Sequence, residues 1–269
     1  MSEDTADARR PLRDIGEDLS RDGRWGSWPM PILVRTTPST MAEVADLASA
    51  GAPEGTTVIA EEQTAGRGRI GREWQSLPYA GLWLTTLLRP AAEPSSLGWL
   101  PLVTGIAVAH AVRAQTDIDV GLKWPNDIVI STSDGLAKAG GILSERLADG
   151  SVLVGIGINV SQAPDELPPG GTSLAQHARV VEREPLVAAV LGEFADSYRR
   201  WLAGADLEGP YREMSVTIGS EVRVETPGAT LEGVATGLGP HGELLVTDRS
   251  GASHVVSAGD VLLVRPAIG

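Results

Sequence analysis

A segment rich in glycine and arginine is the part of this sequence best suited to bind anions. Residues 66–72 have the sequence Gly-Arg-Gly-Arg-Ile-Gly-Arg, which places three guanidinium groups within six positions. Glycine lets a backbone turn sharply and approach a ligand, and arginine presents a planar set of donors that matches phosphate and carboxylate. Joining a carboxylate to a nucleotide requires that two anionic reactants be held in contact while charge builds up on the attacked phosphate. The segment therefore predicts a site for this type of reaction.

The same segment also matches the dinucleotide-binding pattern G-x-G-x-x-G, through Gly66, Gly68 and Gly71. That pattern must open a helix whose amino terminus holds a pyrophosphate, whereas Trp74 and Pro78 follow here and indicate an irregular loop. No Gly-Lys-Ser/Thr sequence follows the glycines, so a P-loop is excluded as well. A solvated basic loop without a ligand remains an open alternative at this point.

Three further motifs place polar side chains in apolar, strand-like surroundings. Residues 123–127 have the sequence Lys-Trp-Pro-Asn-Asp, Lys138 stands alone among small and apolar residues, and residues 155–159 have the sequence Gly-Ile-Gly-Ile-Asn. Polar groups at strand ends serve a site or a turn, and strand glycines permit close approach of a ligand or of a neighbouring element. Each motif taken alone therefore has a structural explanation beside the functional one.

Alternating strand and helix patterns are predicted to position these motifs. A helix is predicted to begin at Ser39 or Thr40, where Thr40 and Glu43 fit a capping box. The other predicted helices cover residues 97–115 and 185–202. The predicted strands are residues 31–35, 57–61, 82–88, 120–124, 127–130, 139–147 and 152–160.

The pattern divides the chain into three predicted parts. Residues 1–24 are polar with little apolar periodicity, which predicts a flexible tail, and residues 25–216 form the predicted catalytic domain. The remainder, 217–269, contains five short β-type runs separated by glycine-bearing turns, which predicts a small five-stranded barrel. Those runs are residues 221–225, 230–238, 243–247, 254–257 and 261–264.

Composition excludes several classes of protein. A net charge of −13 argues against nucleic acid as the main partner, because a polyanion requires clustered cationic surface. The absence of cysteine excludes disulfides and thiolate sites, and four scattered histidines show no metal-ligand spacing, so no protein metal site is expected. We see no apolar run near the roughly 20 residues that span a bilayer and no signal peptide, so we expect a cytoplasmic protein without a membrane segment.

Taken together and in this order, the motifs resemble the catalytic domain of biotin–protein ligases. The likeness rests on residues 66–72, 123–127, 155–159 and Lys138, and it extends over roughly residues 30–265. It implies an α+β fold, with a mixed, largely antiparallel sheet flanked by helices as in class II aminoacyl-tRNA synthetases, and a small C-terminal SH3-like β-barrel. One departure is Met41, since the family usually has asparagine after the Ser-Thr pair.

The resemblance implies a role for each matching residue. The implied biotin pocket consists of Ser39, Thr40, Gln63, Gly66, Arg67, Gly68, Arg69 and Lys138. The implied ATP and adenylate site consists of Arg69, Arg72, Trp74, Lys123, Asn126, Asp127 and Asn159. The implied catalytic residues are Arg67, Arg69, Lys138 and Asp127.

The implied reaction is that of a biotin–[biotin carboxyl-carrier protein] ligase, in two steps. Biotin and ATP, with Mg²⁺ carried by the phosphates, give biotinyl-5′-AMP, and a lysine of the biotin carboxyl carrier domain of a biotin-dependent carboxylase then takes the biotinyl group. Asp127 is expected to orient or deprotonate that lysine. We expect a monomer or a weak homodimer.

Three alternatives compete with this hypothesis. A lipoate–protein ligase or octanoyl transferase shares the fold, but the complete arginine motif together with Lys-Trp-Pro-Asn-Asp favours biotin. A biotin-sensing repressor that binds DNA is disfavoured, because only 38 residues precede Ser39 and a helix-turn-helix domain needs more chain. A binding module without catalytic activity would not require three anion-handling motifs.

Overall fold

The motifs that the sequence singles out lie on a seven-stranded sheet or in the connections between its strands. The computed structural model describes residues 9–13, 15–226 and 229–263. The order across the sheet is β1-β2-β3-β7-β6-β5-β4; β1 and β2 are parallel and every other neighbouring pair is antiparallel. The predicted mixed, largely antiparallel sheet is therefore confirmed. The strands are β1 (Ile32–Val34), β2 (Thr57–Ala60), β3 (Gly81–Leu88), β4 (Val120–Lys123), β5 (Asp127–Thr132), β6 (Gly135–Arg146) and β7 (Val152–Asn159).

Helices cover both faces of this sheet. Side chains alternate between the two faces of a strand, so Leu84 and Ile156 belong to one face and Leu87 and Leu153 to the other. The first pair belongs to the large core formed with α3 and α4, and the second pair packs with α2 in a smaller cluster. The helices are α1 (Gly16–Asp22), α2 (Thr40–Ser49), α3 (Leu100–Thr116), α4 (Arg183–Leu202) and α5 (Glu208–Met214).

The residues that point to the α2 side of the sheet are small where α2 begins. On β7 the even positions are valine and isoleucine and join the large core, whereas Gly155 and Gly157 alternate with them on the other face. Thr85 of β3 lies opposite Gly155 in the antiparallel register. This pattern of small residues leaves a space on the sheet surface beside the start of α2.

One helical segment, Pro94–Thr116, is long and apolar enough by composition and length to cross a membrane. This corrects the expectation that no apolar run approaches that length. Within the fold, however, 61% of its most apolar window is buried, and α3 packs closely against α4. The segment is therefore accounted for as a core helix.

The prediction of a flexible tail over residues 1–24 is wrong for much of that range. Leu12, Ile15 and Leu19 are buried in the large core, and α1 packs against α4. Leu19 lies within α1, whereas Leu12 and Ile15 precede the helix. The burial of all three side chains offsets the entropy of ordering the segment. Residues 1–8 and 14 lie outside the described residues.

The C-terminal strands form a second sheet with the order β11-β10-β9-β8-β12. All five predicted strands are present, but no ladder joins β11 to β12 in the part of the chain that the structure describes. Over the described residues the sheet is therefore open, where a closed barrel was expected, because β12, as far as Leu263, pairs with β8 alone. The strands are β8 (Glu221–Thr226), β9 (Ala229–Leu238), β10 (Leu244–Asp248), β11 (Ser253–Val256) and β12 (Asp260–Leu263).

Candidate active site

A cavity of about 440 Å³ opens on the α2 side of the seven-stranded sheet. It collects residues from α2, the arginine-rich segment, five strands of the large sheet and two strands of the C-terminal sheet. Twelve of the fourteen residues predicted for the two binding sites line it. These are Ser39, Thr40, Gln63, Arg67, Gly68, Arg69, Arg72, Trp74, Lys123, Asn126, Asp127 and Lys138.

The amino terminus of α2 is fixed by a hydrogen-bond network at one end of the cavity. Gln63 Oε1 accepts hydrogen bonds from the backbone N–H of Thr40 (2.8 Å) and from its hydroxyl (3.0 Å). The Gln63 amide also donates to Ser76 Oγ at 2.7 Å, and Thr40 Oγ1 lies 2.8 Å from Thr85 Oγ1. Gln63 thus satisfies a free helical N–H, which is the task usually given to an N-cap side chain.

The capping box predicted between Thr40 and Glu43 is wrong. The N-cap residue of α2 is Ser39, whose side chain makes no capping hydrogen bond. The Glu43 carboxylate instead accepts a hydrogen bond from the Thr37 hydroxyl at 2.6 Å. Gln63, which lies 23 positions after Thr40 in the sequence, caps the helix instead. A local sequence motif cannot predict a cap from so distant a residue.

Two buried polar atoms that belong to cavity-lining residues have no hydrogen-bond partner among the described residues. They are Ser39 Oγ and Trp74 Nε1, and the Ser39 side chain belongs to a residue only 4% exposed. A buried polar group without a partner costs about 1–3 kcal/mol. Both atoms are therefore suited to a bound ligand that supplies the missing partner.

Each arginine of the arginine-rich segment contacts an acceptor on a different element. Arg67 forms an ion pair with Glu145 of β6 at 3.3 Å, and Arg69 donates to Asn126 Oδ1 at 3.1 Å. Arg72 forms an ion pair with Asp260, the first residue of β12. The segment is thus held over the cavity, with its positive charges partly neutralised by protein groups that an anionic ligand can replace.

The backbone of this segment is closed by tight hydrogen bonds. Gly68 N–H donates to Arg72 O at 2.7 Å, and Trp74 N–H donates to Gly66 O at 2.9 Å. Ile70 lies between them with a φ of 55°, a left-handed conformation that is strained for a β-branched side chain. The segment therefore adopts a turn and not the helix start that a dinucleotide fingerprint requires.

Lys138 and Asp127 form an ion pair at the centre of the cavity wall, with Nζ 2.5 Å from Oδ1. The Lys138 ammonium also lies 5.4 Å from the centroid of the Trp74 ring. Buried Tyr211 lies behind this pair: burial, and to a smaller extent the Asp127 carboxylate, raise the pKa of its phenol well above the usual range. The phenol therefore stays neutral beside the ion pair.

Asn126 holds the arginine-rich segment to the sheet. Its Nδ2 donates to the carbonyl of Ile142 on β6 at 2.8 Å, and Ile142 N–H donates to the Asn126 carbonyl at 2.9 Å. The remaining amide oxygen accepts from Arg69. The geometry makes Asn126 a support for Arg69, in addition to lining the cavity.

The Trp74 ring lies flat against strand glycines. A Cβ atom on Gly157 would come within 2.8 Å of Trp74 Cε2, and one on Gly141 within 3.3 Å of Cζ3. Trp83 packs edge-on against the same ring, with centroids 6.3 Å apart. The glycines of the Gly-Ile-Gly-Ile-Asn motif therefore make room for a tryptophan as well as for a ligand.

We expect Gly157→Ala to displace Trp74 from the sheet. The added methyl group overfills a packed contact, so the free energy of unfolding should fall by about 1–3 kcal/mol and biotin-dependent exchange of pyrophosphate into ATP should fall with it. Denaturant unfolding measures the first quantity. Gly209→Ala is the control, since its Cβ would meet nothing within 4 Å. Equal stability of the two variants would contradict the assignment.

Two of the predicted site residues do not line the cavity. Asn159 is buried, and its amide donates to the carbonyl of Thr172 at 2.9 Å while its oxygen accepts from Gln162. It therefore fastens the segment after β7 and is not placed to bind ATP. Gly66 is packed so that a Cβ would lie 2.4 Å from Trp74 O, which explains the glycine without a ligand.

The sequence interpretation missed several residues that line the cavity. Met41 is 4% exposed and packs with its sulfur against Gly155, where the family usually has asparagine. Thr85 joins the network around Thr40, as described above. Asp260 and Glu225 reach the cavity from the C-terminal sheet. These residues reach the site only because segments that are far apart in the sequence pack together.

Trp124 joins the two sheets beside the cavity. Its backbone N–H donates to Thr217 Oγ1 at 3.0 Å, and its indole N–H donates to the carbonyl of Gly242 at 3.0 Å. The ring itself is buried in the core. The tryptophan of the Lys-Trp-Pro-Asn-Asp motif therefore holds the C-terminal sheet against the site.

Comparison with known proteins places this fold and cavity in a class of acyl-transferring ligases. A model of the biotin/lipoate A/B protein ligase family matches residues 33–162, and a model of the biotin protein ligase C terminal domain matches residues 217–264. The biotin–[acetyl-CoA-carboxylase] ligase of Mycobacterium tuberculosis is 38% identical over 251 residues, which is 90% of this chain and 92% of that protein. The chain therefore belongs to the biotin protein ligase family and is an enzyme of that family.

Other relatives agree with this placement. The bifunctional ligase/repressor BirA of Bacillus subtilis is 35% identical over 231 residues, which is 82% of this chain and 70% of that protein. A biotin protein ligase from Aquifex aeolicus, solved in complex with biotin and ATP, has a TM-score of 0.76 and is 29% identical. The superposition covers 88% of this chain and 99% of that one.

Proposed function

We propose that this enzyme condenses biotin with ATP to biotinyl-5′-AMP and then transfers the biotinyl group to a lysine of a biotin carboxyl carrier domain. The observation that carries the proposal is the charge arrangement of the cavity: three arginines and two lysines line it beside four carboxylates, in a chain whose net charge is −13. A cluster of cations in an acidic protein provides local donors for anionic substrates. The solved complex of the Aquifex aeolicus enzyme contains both biotin and ATP.

The end of the cavity near α2 is suited to the biotin rings. Apolar side chains of Met41 and Leu143 line the cavity, as does buried Ser39, whose hydroxyl lacks a partner among the described residues. A small-molecule pocket typically combines such apolar walls with a few directional polar groups. We assign Ser39, Thr40 and backbone groups of the arginine-rich segment to the ureido ring, with the carboxylate directed toward Arg67, Arg69 and Lys138.

The first step joins the two anions. A biotin carboxylate oxygen attacks the α-phosphorus of ATP, a new P–O bond forms, and the bond to the β-phosphate breaks to release pyrophosphate. Arg67, Arg69 and Lys138 offset the negative charge that gathers at the α-phosphate. Arg72, Trp74, Lys123 and Asn126 hold the nucleotide, with Asn126 acting mainly through Arg69.

Mg²⁺ fits this site as a companion of the nucleotide. No group of three or more acidic or histidine residues that could hold a metal ion is found among residues 9–13, 15–226 and 229–263. Mg²⁺ commonly keeps several waters and binds through one or two carboxylates together with substrate phosphates. The phosphates would supply most of its ligands here, and its charge would help to neutralise the triphosphate.

The second step transfers the biotinyl group. The amine of the acceptor lysine attacks the carbonyl carbon of the mixed anhydride, the C–O bond to AMP breaks, and the amine loses a proton. A free lysine has a pKa near ~10.4, so the amine must be deprotonated before attack. We assign Asp127 to orient that amine or accept its proton, because its carboxylate lines the cavity beside Lys138.

Incubation of the purified enzyme with biotin and ATP tests the first step. Mass spectrometry is expected to detect biotinyl-5′-AMP, and addition of a biotin carboxyl carrier domain is expected to consume it and add one biotinyl group to the carrier. The enzyme contains two lysines, Lys123 and Lys138, so self-labelling can be mapped and kept apart from transfer. If no acyl-nucleotide forms, the proposal is wrong; if it forms but no carrier is labelled, only the acceptor assignment fails.

Lipoate or octanoate is the second candidate substrate class, because the family model that matches residues 33–162 includes lipoate ligases. Neither acid offers a ureido group to Ser39, whose hydroxyl would then stay unpaired at a cost of about 1–3 kcal/mol. We therefore expect biotin to outcompete octanoate for adenylate formation when both acids are present at equal concentration. A preference for octanoate would reverse the assignment.

A further inference from the structure

The C-terminal sheet contacts the arginine-rich segment directly, through an ion pair between Arg72 and Asp260. Asp260 begins β12 and pairs across the strand ladder with Glu225 of β8. Both carboxylates line the same cavity as the arginines. The C-terminal sheet therefore places two negative charges on the wall of a site that must accept a polyanion.

The ion pair engages an arginine that is otherwise available to a ligand. The Arg72 side chain is 67% exposed and the Asp260 side chain 33% exposed. Arg67 and Arg69 are held by groups of the large sheet or its connections, so Arg72 alone of the three connects the segment to the C-terminal sheet in the described structure. The Arg72 guanidinium can bind a nucleotide phosphate only if it dissociates from the Asp260 carboxylate or contacts both groups at once.

We propose that Asp260 is a positioning residue that competes with ATP for Arg72. In the free enzyme the carboxylate neutralises the guanidinium and holds β12 against the arginine-rich segment. Binding of the triphosphate replaces this carboxylate on the guanidinium. This inference rests on the proposed assignment of Arg72 to the nucleotide.

Steady-state pyrophosphate exchange with Asp260→Asn tests the competition. Removal of the carboxylate charge frees Arg72 from a partly exposed ion pair, which contributes little, so we expect KM for ATP to fall by about threefold. The kcat should stay the same, because the chemistry occurs after the ion pair has opened. Asp260→Glu should keep the wild-type KM, since it restores the charge. An unchanged or raised KM in Asp260→Asn would overturn the proposal.

Two further variants separate the ion pair from general electrostatics and from the proposed function. Glu225→Gln removes a charge from the same wall without touching Arg72, so an equal fall in KM would also overturn the proposal. Arg72→Ala should raise KM for ATP, and adding Asp260→Asn to it should produce no further change. If Arg72→Ala leaves KM unaltered, the assignment of Arg72 to the nucleotide fails, a result distinct from failure of the competition.

Discussion

Replacing Lys138 with alanine is expected to lower kcat/KM for biotin-dependent pyrophosphate exchange by about 100- to 1000-fold. The ammonium lies 2.5 Å from Asp127 and lines the cavity in which both anions must meet. Its loss removes a charge that stabilises the transition state. It also leaves the Asp127 carboxylate unneutralised opposite the incoming carboxylate and triphosphate. Exchange of labelled pyrophosphate into ATP, with and without biotin, measures the effect.

Arg249→Ala provides the matched control for this prediction. Arg249 is a cation whose side chain is 87% exposed on the C-terminal sheet, so its loss lowers the net charge by the same amount away from the cavity. Activity of this variant should equal that of the unaltered enzyme. Thermal unfolding of both variants shows whether a loss of activity reflects a loss of folding. Exchange by Lys138→Ala within tenfold of the unaltered enzyme would remove Lys138 from the reacting site.

Residue type made much of the site predictable from sequence. A glycine-bounded series of arginines indicates an anion site from residue chemistry alone. The roles of the individual residues came from the resemblance to biotin–protein ligases, because each motif by itself also had a structural explanation. The structure brings Arg69, Lys123 and Lys138 into one cavity, as expected. The fold class was predictable for a similar reason, because strand and helix periodicities differ and the hairpin β6–β7 has a clear turn.

The features that sequence reasoning missed depend on contacts between distant parts of the chain. Asn159 was assigned to ATP, yet its side chain binds backbone of the segment that follows β7, which only the path of that segment determines. Asp260 reaches the cavity from a separate sheet. A single aspartate in a short strand belongs to no sequence motif, so its place in the site could not be predicted. The order of the N-terminal segment was also missed, because its three buried apolar side chains, Leu12, Ile15 and Leu19, stand among many charged residues.

Loss of the buried guanidinium of Arg183 is expected to cost about 3–5 kcal/mol of stability. Arg183 is 5% exposed, and it forms an ion pair with Glu61, which is 7% exposed. Its guanidinium also donates to the carbonyls of Gly81 and Arg10, at 3.2 and 2.9 Å. Arg183→Met would leave the Glu61 carboxylate buried without a counter-charge, and denaturant unfolding measures the resulting loss.

Glu61 also accepts a hydrogen bond from the backbone N–H of Leu12, so the same ion pair ties the N-terminal segment to β2 and α4. The variant Arg21→Met is the control, because it breaks an exposed ion pair with Asp18 and should cost less than about 1 kcal/mol. Combining Arg183→Met with Glu61→Leu removes the unpaired charge, so the double variant should regain part of the stability that the single variant loses. A double variant less stable than Arg183→Met alone would show that the hydrogen bonds of Glu61 to the N-terminal segment, and not its charge, stabilise this part of the fold.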